Sequence, residues 1–182
     1  MAPLRAFVSA SAAERLARAR DAGRGCAPGT RVLLVGASRG AADDLARDVA
    51  AATPATFGIQ RLSLTQLAAR TAIVSLAADG TAPGTWLGAE AVAARAAFDA
   101  VRGGSLDYFE PVAGTPGFPR ALARTLQELR LAGVGGTALA GLPLAGSDLA
   151  DLLERFERCF ADAATSDRAA LFGRAAQLLR DP

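Results

Sequence analysis

The stretch that most constrains the fold is an uninterrupted apolar run, Val32-Leu33-Leu34-Val35, followed at once by Gly36-Ala37-Ser38-Arg39-Gly40. Apolar residues without alternation predict a strand that is buried on both faces, as in a parallel sheet. A helical pattern follows over about residues 41–52. The chain therefore starts as an α/β fold, in which helices cross over between parallel strands.

Two capping boxes predict where helices begin in this first part of the chain. Ser11 with Glu14 opens a helix that runs to about residue 21, and Ser63 with Gln66 opens another near residue 64. Two further strands are predicted, at residues 4–8 and 57–62. Together these elements are expected to form a partial parallel sheet with crossover helices over residues 1–80.

The character of the chain changes after residue 80, where Pro83 and Gly84 mark a break. Residues 81–182 are predicted to form a helical subdomain, because apolar residues there recur at helical spacing. Three apolar stripes are expected to face one another in a small bundle. They comprise Phe118, Leu122, Leu126 and Leu129; Leu149, Leu152, Leu153, Phe156, Cys159 and Phe160; and Leu171, Phe172, Ala175, Leu178 and Leu179.

A sheet of two or three parallel strands has exposed edges and little apolar area to bury. The last helical pattern also runs almost to residue 182. We therefore expect the chain to be a piece of a longer protein, whose remaining strands would flank these.

The composition excludes several kinds of chemistry. Lysine, histidine and asparagine are absent, all 20 basic residues are arginine, and the net charge is only +2. Without histidine no ordinary catalytic triad can form, and Cys26 and Cys159 are too far apart in sequence to suggest zinc. No catalytic residues, no metal-binding residues and no cofactor are predicted. The acidic residues Asp43, Asp44, Asp148 and Asp151 are interpreted as surface residues at helix starts.

No apolar run resembles a signal peptide or a membrane span. The sequence thus predicts a cytoplasmic protein with no membrane partner.

The glycine segment allows three interpretations, which concern Gly36, Ser38 and Gly40. A phosphate-binding loop would need a lysine and a serine or threonine where Ala41 and Ala42 stand. Aspartates expected in the first turn of the next helix would also repel phosphate. A dinucleotide loop would need a third glycine at residue 42. The preferred interpretation is a tight strand-to-helix turn, in which the glycines permit close approach and Ser38 caps the helix. As a nucleotide site the segment is degenerate, and it is not expected to bind a nucleotide.

Arginines and aromatic residues in the second half are the candidates for contact with nucleic acid. Arg120 and Arg124 lie one helical turn apart, beside the apolar stripe that begins at Phe118. Bases could stack on Trp86 or on Tyr108-Phe109, with Arg102 and Arg130 as further cations. The alternative is that the aromatic residues anchor loops and the arginines are solvated, as is common on amphipathic helices.

Three segments in this order carry a family resemblance: the glycine segment with its strand and helix at 31–46, Gln60 to Ala69, and Pro116 to Gly133. A late Asp167-Arg-Ala-Ala-Leu-Phe follows them. The chain resembles the N-terminal region of the AddB-type helicase–nuclease proteins of bacteria, which are related to UvrD-like superfamily 1 helicases and carry a C-terminal PD-(D/E)xK nuclease.

The resemblance implies a RecA-like first domain with a helical insertion that helps to form the DNA path. Residues 36–42 would match the ATP-binding loop position, with its lysine and threonine missing. It further implies a non-catalytic part of a DNA-repair protein that serves as a scaffold and guides DNA, with the remainder of the parent chain or a helicase subunit as partner. The alternatives are a dinucleotide-binding oxidoreductase-like domain and a purely structural interaction module.

Overall fold

A computed structural model of the protein describes residues 5–27, 29–52 and 58–180. It mixes helices with small parallel sheets, and helices make up 66% of it. The chain divides into two compact units, Met1–Leu67 and Ala68–Pro182, called here the first and the second unit. This boundary lies inside the helix Leu64–Ala78. The predicted division into two domains after residue 80 concerns the intact protein and stays a prediction.

The first unit contains a helix, a strand, a second helix and a second strand, and then the start of a third helix. Their bounds are α1 Ala12–Arg24, β1 Val32–Gly36, α2 Arg39–Ala51, β2 Ile59–Ser63 and α3 Leu64–Ala78. The two strands pair in parallel, with Val32 opposite Ile59 and Gly36 opposite Ser63. The predicted crossover of a helix between parallel strands is confirmed. Of the predicted strand at 57–62, Phe57 lies outside the described residues.

Helix α2 covers one face of this sheet and leaves the other face accessible. Leu33 and Val35 remain 46% and 44% exposed, whereas their neighbours Val32 and Leu34 are half-buried. The prediction that β1 is buried on both faces is therefore wrong. The physical reason is that, in the described part of the first unit, only α2 packs against the strands.

The predicted strand at residues 4–8 is also wrong where the structure describes it. Residues 5–8 belong to no strand, and Val8 is 91% exposed. Leu4 lies outside the described residues.

Both capping boxes do start helices. Ser11 caps α1 by accepting the Glu14 backbone N–H, but its own N–H donates to Ser9 rather than to the Glu14 side chain. At α3 both halves of the box are made, since Ser63 Oγ accepts the Gln66 N–H and the Gln66 side chain accepts the Ser63 N–H at 2.9 Å.

The second unit is helical and contains one short pair of strands. It comprises the rest of α3, β3 Ala82–Pro83, α4 Trp86–Gly103, α5 Glu110–Ala113, α6 Phe118–Leu131, α7 Gly136–Ala140, α8 Gly146–Asp162, β4 Thr165–Ser166 and α9 Arg168–Arg180. Strands β3 and β4 pair in parallel.

Helix α4 lies at the centre of the main core and presents alanine to both of its neighbours. The alanines are at most 2% exposed and comprise Ala89, Ala93, Ala96, Ala97 and Ala100. They pack against the apolar stripes of α6 and α8, which include Leu126 and Phe156. Small side chains at such a contact let helix axes approach closely. The two predicted stripes of α6 and α8 are thus confirmed as parts of one core, except for Cys159, which is half-buried and lies outside the cluster.

The third predicted stripe, on α9, has a partner outside the main core. Leu171 and Ala175 form a separate buried cluster with Ala68, Ala72 and Leu76 of α3. Leu179, which the periodicity places in the core, is 65% exposed. The small residues along α3 provide the complementary surface that the stripe needs, so α9 packs on α3 as well as beside α6.

Asp148 is a buried carboxylate rather than the surface residue that the sequence predicts. It is 1% exposed, and its oxygens accept the backbone N–H groups of Asp107 at 3.1 Å and Phe109 at 3.0 Å. A buried charge is tolerated when it is hydrogen-bonded in this way. Asp148 thereby fixes the segment between α4 and α5 onto the first turn of α8.

A second polar cluster lies one turn further along α8. Asp151 accepts hydrogen bonds from Arg155 Nε at 2.8 Å and from the Ser105 hydroxyl at 2.7 Å. Desolvation raises the pKa of Asp151, but the hydrogen bonds from Arg155 and Ser105 and the positive charges of Arg155 and Arg158 outweigh it, so that the pKa lies below its usual value.

Tight packing along α4 makes a first prediction. Ala93→Leu should lower the free energy of unfolding by about 1–3 kcal/mol, because a buried site without free volume must accept three more carbon atoms. The neighbouring Ala94 is exposed, so Ala94→Leu is the matched control and should change stability by less than about 0.5 kcal/mol. Urea denaturation of the two variants checks the difference, and equal midpoints would contradict the packing described here.

The lowered pKa of Asp151 makes a second prediction. A carboxyl whose pKa is depressed on folding adds stability above its unfolded pKa and loses it as the pH falls through the folded value. Asp151→Asn should therefore destabilise the protein at neutral pH, and the difference from wild type should shrink in acid. Thermal unfolding between neutral and acidic pH measures this. The control is Glu154→Gln, because Glu154 makes only a loose 3.7 Å pair with Arg158.

Candidate nucleic-acid interface

The predicted nucleotide segment forms a strand-to-helix turn in the first unit. Gly36 ends β1, and Ser38 caps α2 by accepting the Ala41 backbone N–H at 3.1 Å. A Cβ atom on Gly36 would lie 2.9 Å from the Ser38 carbonyl oxygen and 3.0 Å from the Ala42 nitrogen. Glycine is therefore required at residue 36 by close backbone approach.

Gly40 differs from Gly36, although the sequence assigns them the same role. The nearest atom to a Cβ on Gly40 would be Ser38 Oγ at 3.8 Å, an ordinary contact. The turn does not require glycine at this position.

The aspartates that follow the turn lie one turn later in α2 than the sequence predicts. Because the helix begins at Arg39, Asp43 and Asp44 belong to its second turn. Asp43 pairs with Arg39 at 3.1 Å and with Arg61 of β2 at 3.5 Å. The two arginines nearest to the turn thus face a carboxylate of the same unit.

The second unit contains a groove that brings together several of the predicted nucleic-acid residues. It has a volume of about 630 Å³. Its lining comprises Trp86, Gly117, Arg120, Ala121, Arg124, Thr125, Gln127, Glu128, Leu131 and Arg168. Three guanidinium groups, one carboxylate and one indole therefore share one concave surface.

The helix pattern of α6 explains why its arginines reach the groove. Leu122 and Leu126 are buried against the core, so that Arg120 and Arg124 lie on the exposed side of the same helix. Trp86 is the first residue of α4, after the capping residue Thr85, and is 49% exposed.

The three arginines of the groove differ in their partners. Arg124 Nε donates to Glu128 at 3.0 Å, in a pair that is exposed on both sides. Arg168 lies over the ring of Phe172, 5.3 Å from its centroid. Arg120 makes no hydrogen bond or ion pair with the residues that the structure describes. Two of the guanidinium groups are thus not neutralised by a carboxylate within the described chain.

Arg168 is the groove residue that sequence reasoning missed. It follows Asp167, whose carboxylate caps α9 by accepting the Ala170 backbone N–H at 2.7 Å. The aspartate three residues before Ala170 is a usual sign of a helix start. That sign places Arg168 in the first turn but cannot show which surface the turn adjoins.

A partly buried ionic network holds two walls of the groove together. Arg130 of α6 pairs with Glu157 of α8 and with Asp167 at the start of α9. Asp167 is 3% exposed and Arg130 only 21%. The suggestion that Arg130 contacts nucleic acid is therefore not supported by its position, because its guanidinium group is engaged inside the protein.

The other candidate residues lie outside the groove. Arg102 packs over Phe98 on the exposed side of α4. Tyr108 stacks edge-to-face on Phe109, which in turn contacts Phe118. Phe109 and Phe118 pack against the main core, whereas Tyr108 is 53% exposed.

The cysteines and acidic residues form no metal site within the described parts of the chain. Cys26 is exposed and Cys159 is half-buried, and both are free thiols. Desolvation, with the nearby Asp99 and Asp162, raises the pKa of Cys159, so this thiol is less nucleophilic than usual at neutral pH.

The chain matches no model of a known protein family, and no curated protein aligns with it significantly. Among the described residues, no helix is long and apolar enough to span a membrane. The chemistry of the groove must therefore carry the functional conclusion.

The contrast between the two glycines of the turn gives a third prediction. Gly36→Ala should destabilise the protein by at least about 1 kcal/mol, because the new methyl group collides with fixed backbone atoms. Gly40→Ala should leave stability unchanged or raise it by up to about 1 kcal/mol, because alanine is the better helix former. Thermal melts of both variants test this, and equal destabilisation would show that Gly40 is also needed for the turn.

Proposed function

We propose that this chain is a non-catalytic module of a DNA-end-processing helicase–nuclease, which guides an unpaired DNA strand along the groove of the second unit. The observation that carries the proposal is the meeting of Trp86 with Arg120, Arg124 and Arg168 on one concave surface. Two of these arginines and the tryptophan are candidates on sequence grounds alone.

The chemistry of the groove fits the two parts of a nucleotide. Guanidinium groups attract phosphates and donate hydrogen bonds to their oxygens in a fork geometry. A half-exposed indole offers a flat apolar face on which a base can stack. In a duplex the bases are stacked on one another, so Trp86 can contribute fully only when the base is unpaired.

The first unit supports the proposed parent protein. A parallel strand pair, crossed over by a helix that begins at a glycine turn, is how a RecA-like domain begins. Ala41 and Ala42 stand where a phosphate-binding loop would have lysine and a hydroxyl residue. The module would accordingly lack ATPase activity, and its role in DNA repair would be carried out in the cytoplasm.

The accessible sheet face suggests the kind of partner that completes the first unit. Leu33 and Val35 are apolar and nearly half-exposed on a two-stranded sheet. The remainder of the parent chain or a helicase subunit would cover this face and remove apolar area from water. A purely structural docking module is the second candidate function, and this same face favours it.

A binding experiment on the groove gives a fourth prediction. A labelled single-strand/duplex junction should bind with an affinity that falls as salt rises, measured by fluorescence anisotropy. The double variant Arg120→Ala/Arg124→Ala should weaken binding by about tenfold. It should also flatten the salt slope by roughly 0.7 for each single-strand phosphate that arginine no longer neutralises.

The matched control removes two charges elsewhere in the second unit. Arg102 and Arg158 are exposed and lie outside the groove lining, so Arg102→Ala/Arg158→Ala should change affinity by less than about twofold. Equal effects of the two double variants would show non-specific attraction and would defeat the proposal. ATP hydrolysis by the purified chain would contradict its non-catalytic part.

Trp86 supplies an independent readout, because it is the sole tryptophan of the sequence. Base stacking should quench its fluorescence, and Trp86→Ala should reduce the binding free energy by about 1–3 kcal/mol. A stable complex with a helicase subunit, formed without DNA affinity, would instead favour the structural docking module.

A further inference from the structure

We infer that Glu128 restrains strand binding by competing with phosphate for Arg124, so that the groove has a built-in limit on its affinity. This inference rests on the proposed function, since it assigns a role to a carboxylate within the same groove. The carboxylate and the guanidinium group both line the groove and are joined by a hydrogen bond of 3.0 Å.

The position of Glu128 is not explained by packing or by helix stability. Its side chain is 66% exposed and that of Arg124 is 74% exposed, so neither is held by the core. Exposed pairs four residues apart add little to a helix, and least when the basic residue precedes the acidic one, as here. The pair is therefore easily broken, and a phosphate can displace the carboxylate.

Arg124 differs from the other two arginines of the groove because it is paired with a carboxylate. Arg168 is held by the ring of Phe172, and Arg120 has no carboxylate partner among the described residues. Only Arg124 has to exchange one anion for another when a strand binds. Breaking the pair with Glu128 costs free energy, and this cost lowers the affinity of the groove for a strand. The negative charge of Glu128 also opposes the approach of phosphates.

Binding of a fluorescein-labelled oligothymidylate across a salt series tests this inference on the full chain. Glu128→Gln keeps the shape of the side chain and removes its charge. It should tighten binding by about two- to fivefold, the range for an exposed ion pair. The salt slope should become steeper, by at most about 0.7, because no displaced carboxylate remains in the groove to take up a cation when the strand binds.

The matched control is Glu154→Gln, because Glu154 also pairs with an arginine four residues away and lies outside the groove. This variant makes the same change in net charge and should leave affinity within about 1.5-fold of wild type. A double-mutant cycle supplies the decisive comparison: in an Arg124→Ala background, Glu128→Gln should have less than half of its effect on the binding free energy.

Three results would overturn the inference. Glu128→Gln could leave affinity unchanged, Glu154→Gln could tighten binding equally, or the effect of Glu128→Gln could persist in full without Arg124. The proposed function fails separately, if the wild-type chain shows no salt-dependent binding or if binding ignores Arg120 and Arg124. In that case the inference falls with it.

Discussion

The second unit depends on the contact that α4 makes through alanine. Five buried alanines let α6 and α8 pack closely on the same helix, and the larger side chains of those helices fill the space that alanine leaves. This packing also determines the groove. Trp86 is the first residue of α4, and the arginines of the groove wall lie on the outer side of α6. The distance between indole and guanidinium groups is therefore governed by the helix packing beneath them.

Arginine has two distinct uses in this chain, which contains no lysine. Arg130 lies inside, where it bridges Glu157 and Asp167 and so joins three helices. Arg120 is on the same helix but points away from the core. The planar guanidinium group suits both tasks, because it can donate to two carboxylates at once when buried and to phosphate oxygens when exposed.

Much of the local structure follows from residue type and spacing. The capping pairs at Ser11 and Ser63, the strand before Gly36 and the stripes of α6 and α8 were all predictable, because each depends on residues close together in sequence. These features need no knowledge of distant parts of the chain.

Features that depend on distant partners could not be predicted in this way. The burial of Asp148 requires the backbone of Asp107, which is 41 residues away. The α9 stripe packs on α3, and nothing in its own periodicity distinguishes that partner from the bundle. Alanine spacing along α4 did carry a signal, but alanine is so common here that its regularity is easily overlooked. Three of the four main residues of the candidate site could be predicted: Arg120, Arg124 and Trp86 follow from sequence, whereas Arg168 joins them only through tertiary packing.

Asp167 connects the first turn of α9 to the helical bundle. Its carboxylate both caps α9 and pairs with Arg130, so the same carboxyl group serves the start of α9 and the interior of the bundle. Helices at the edge of a domain commonly open independently of the rest of it. Here the first turn of α9 cannot open without leaving the partly buried Arg130 with one carboxylate partner fewer. Helix α9 and the bundle should therefore behave as one cooperative unit, so that hydrogen-bonded amide protons at the start of α9 exchange when the bundle opens.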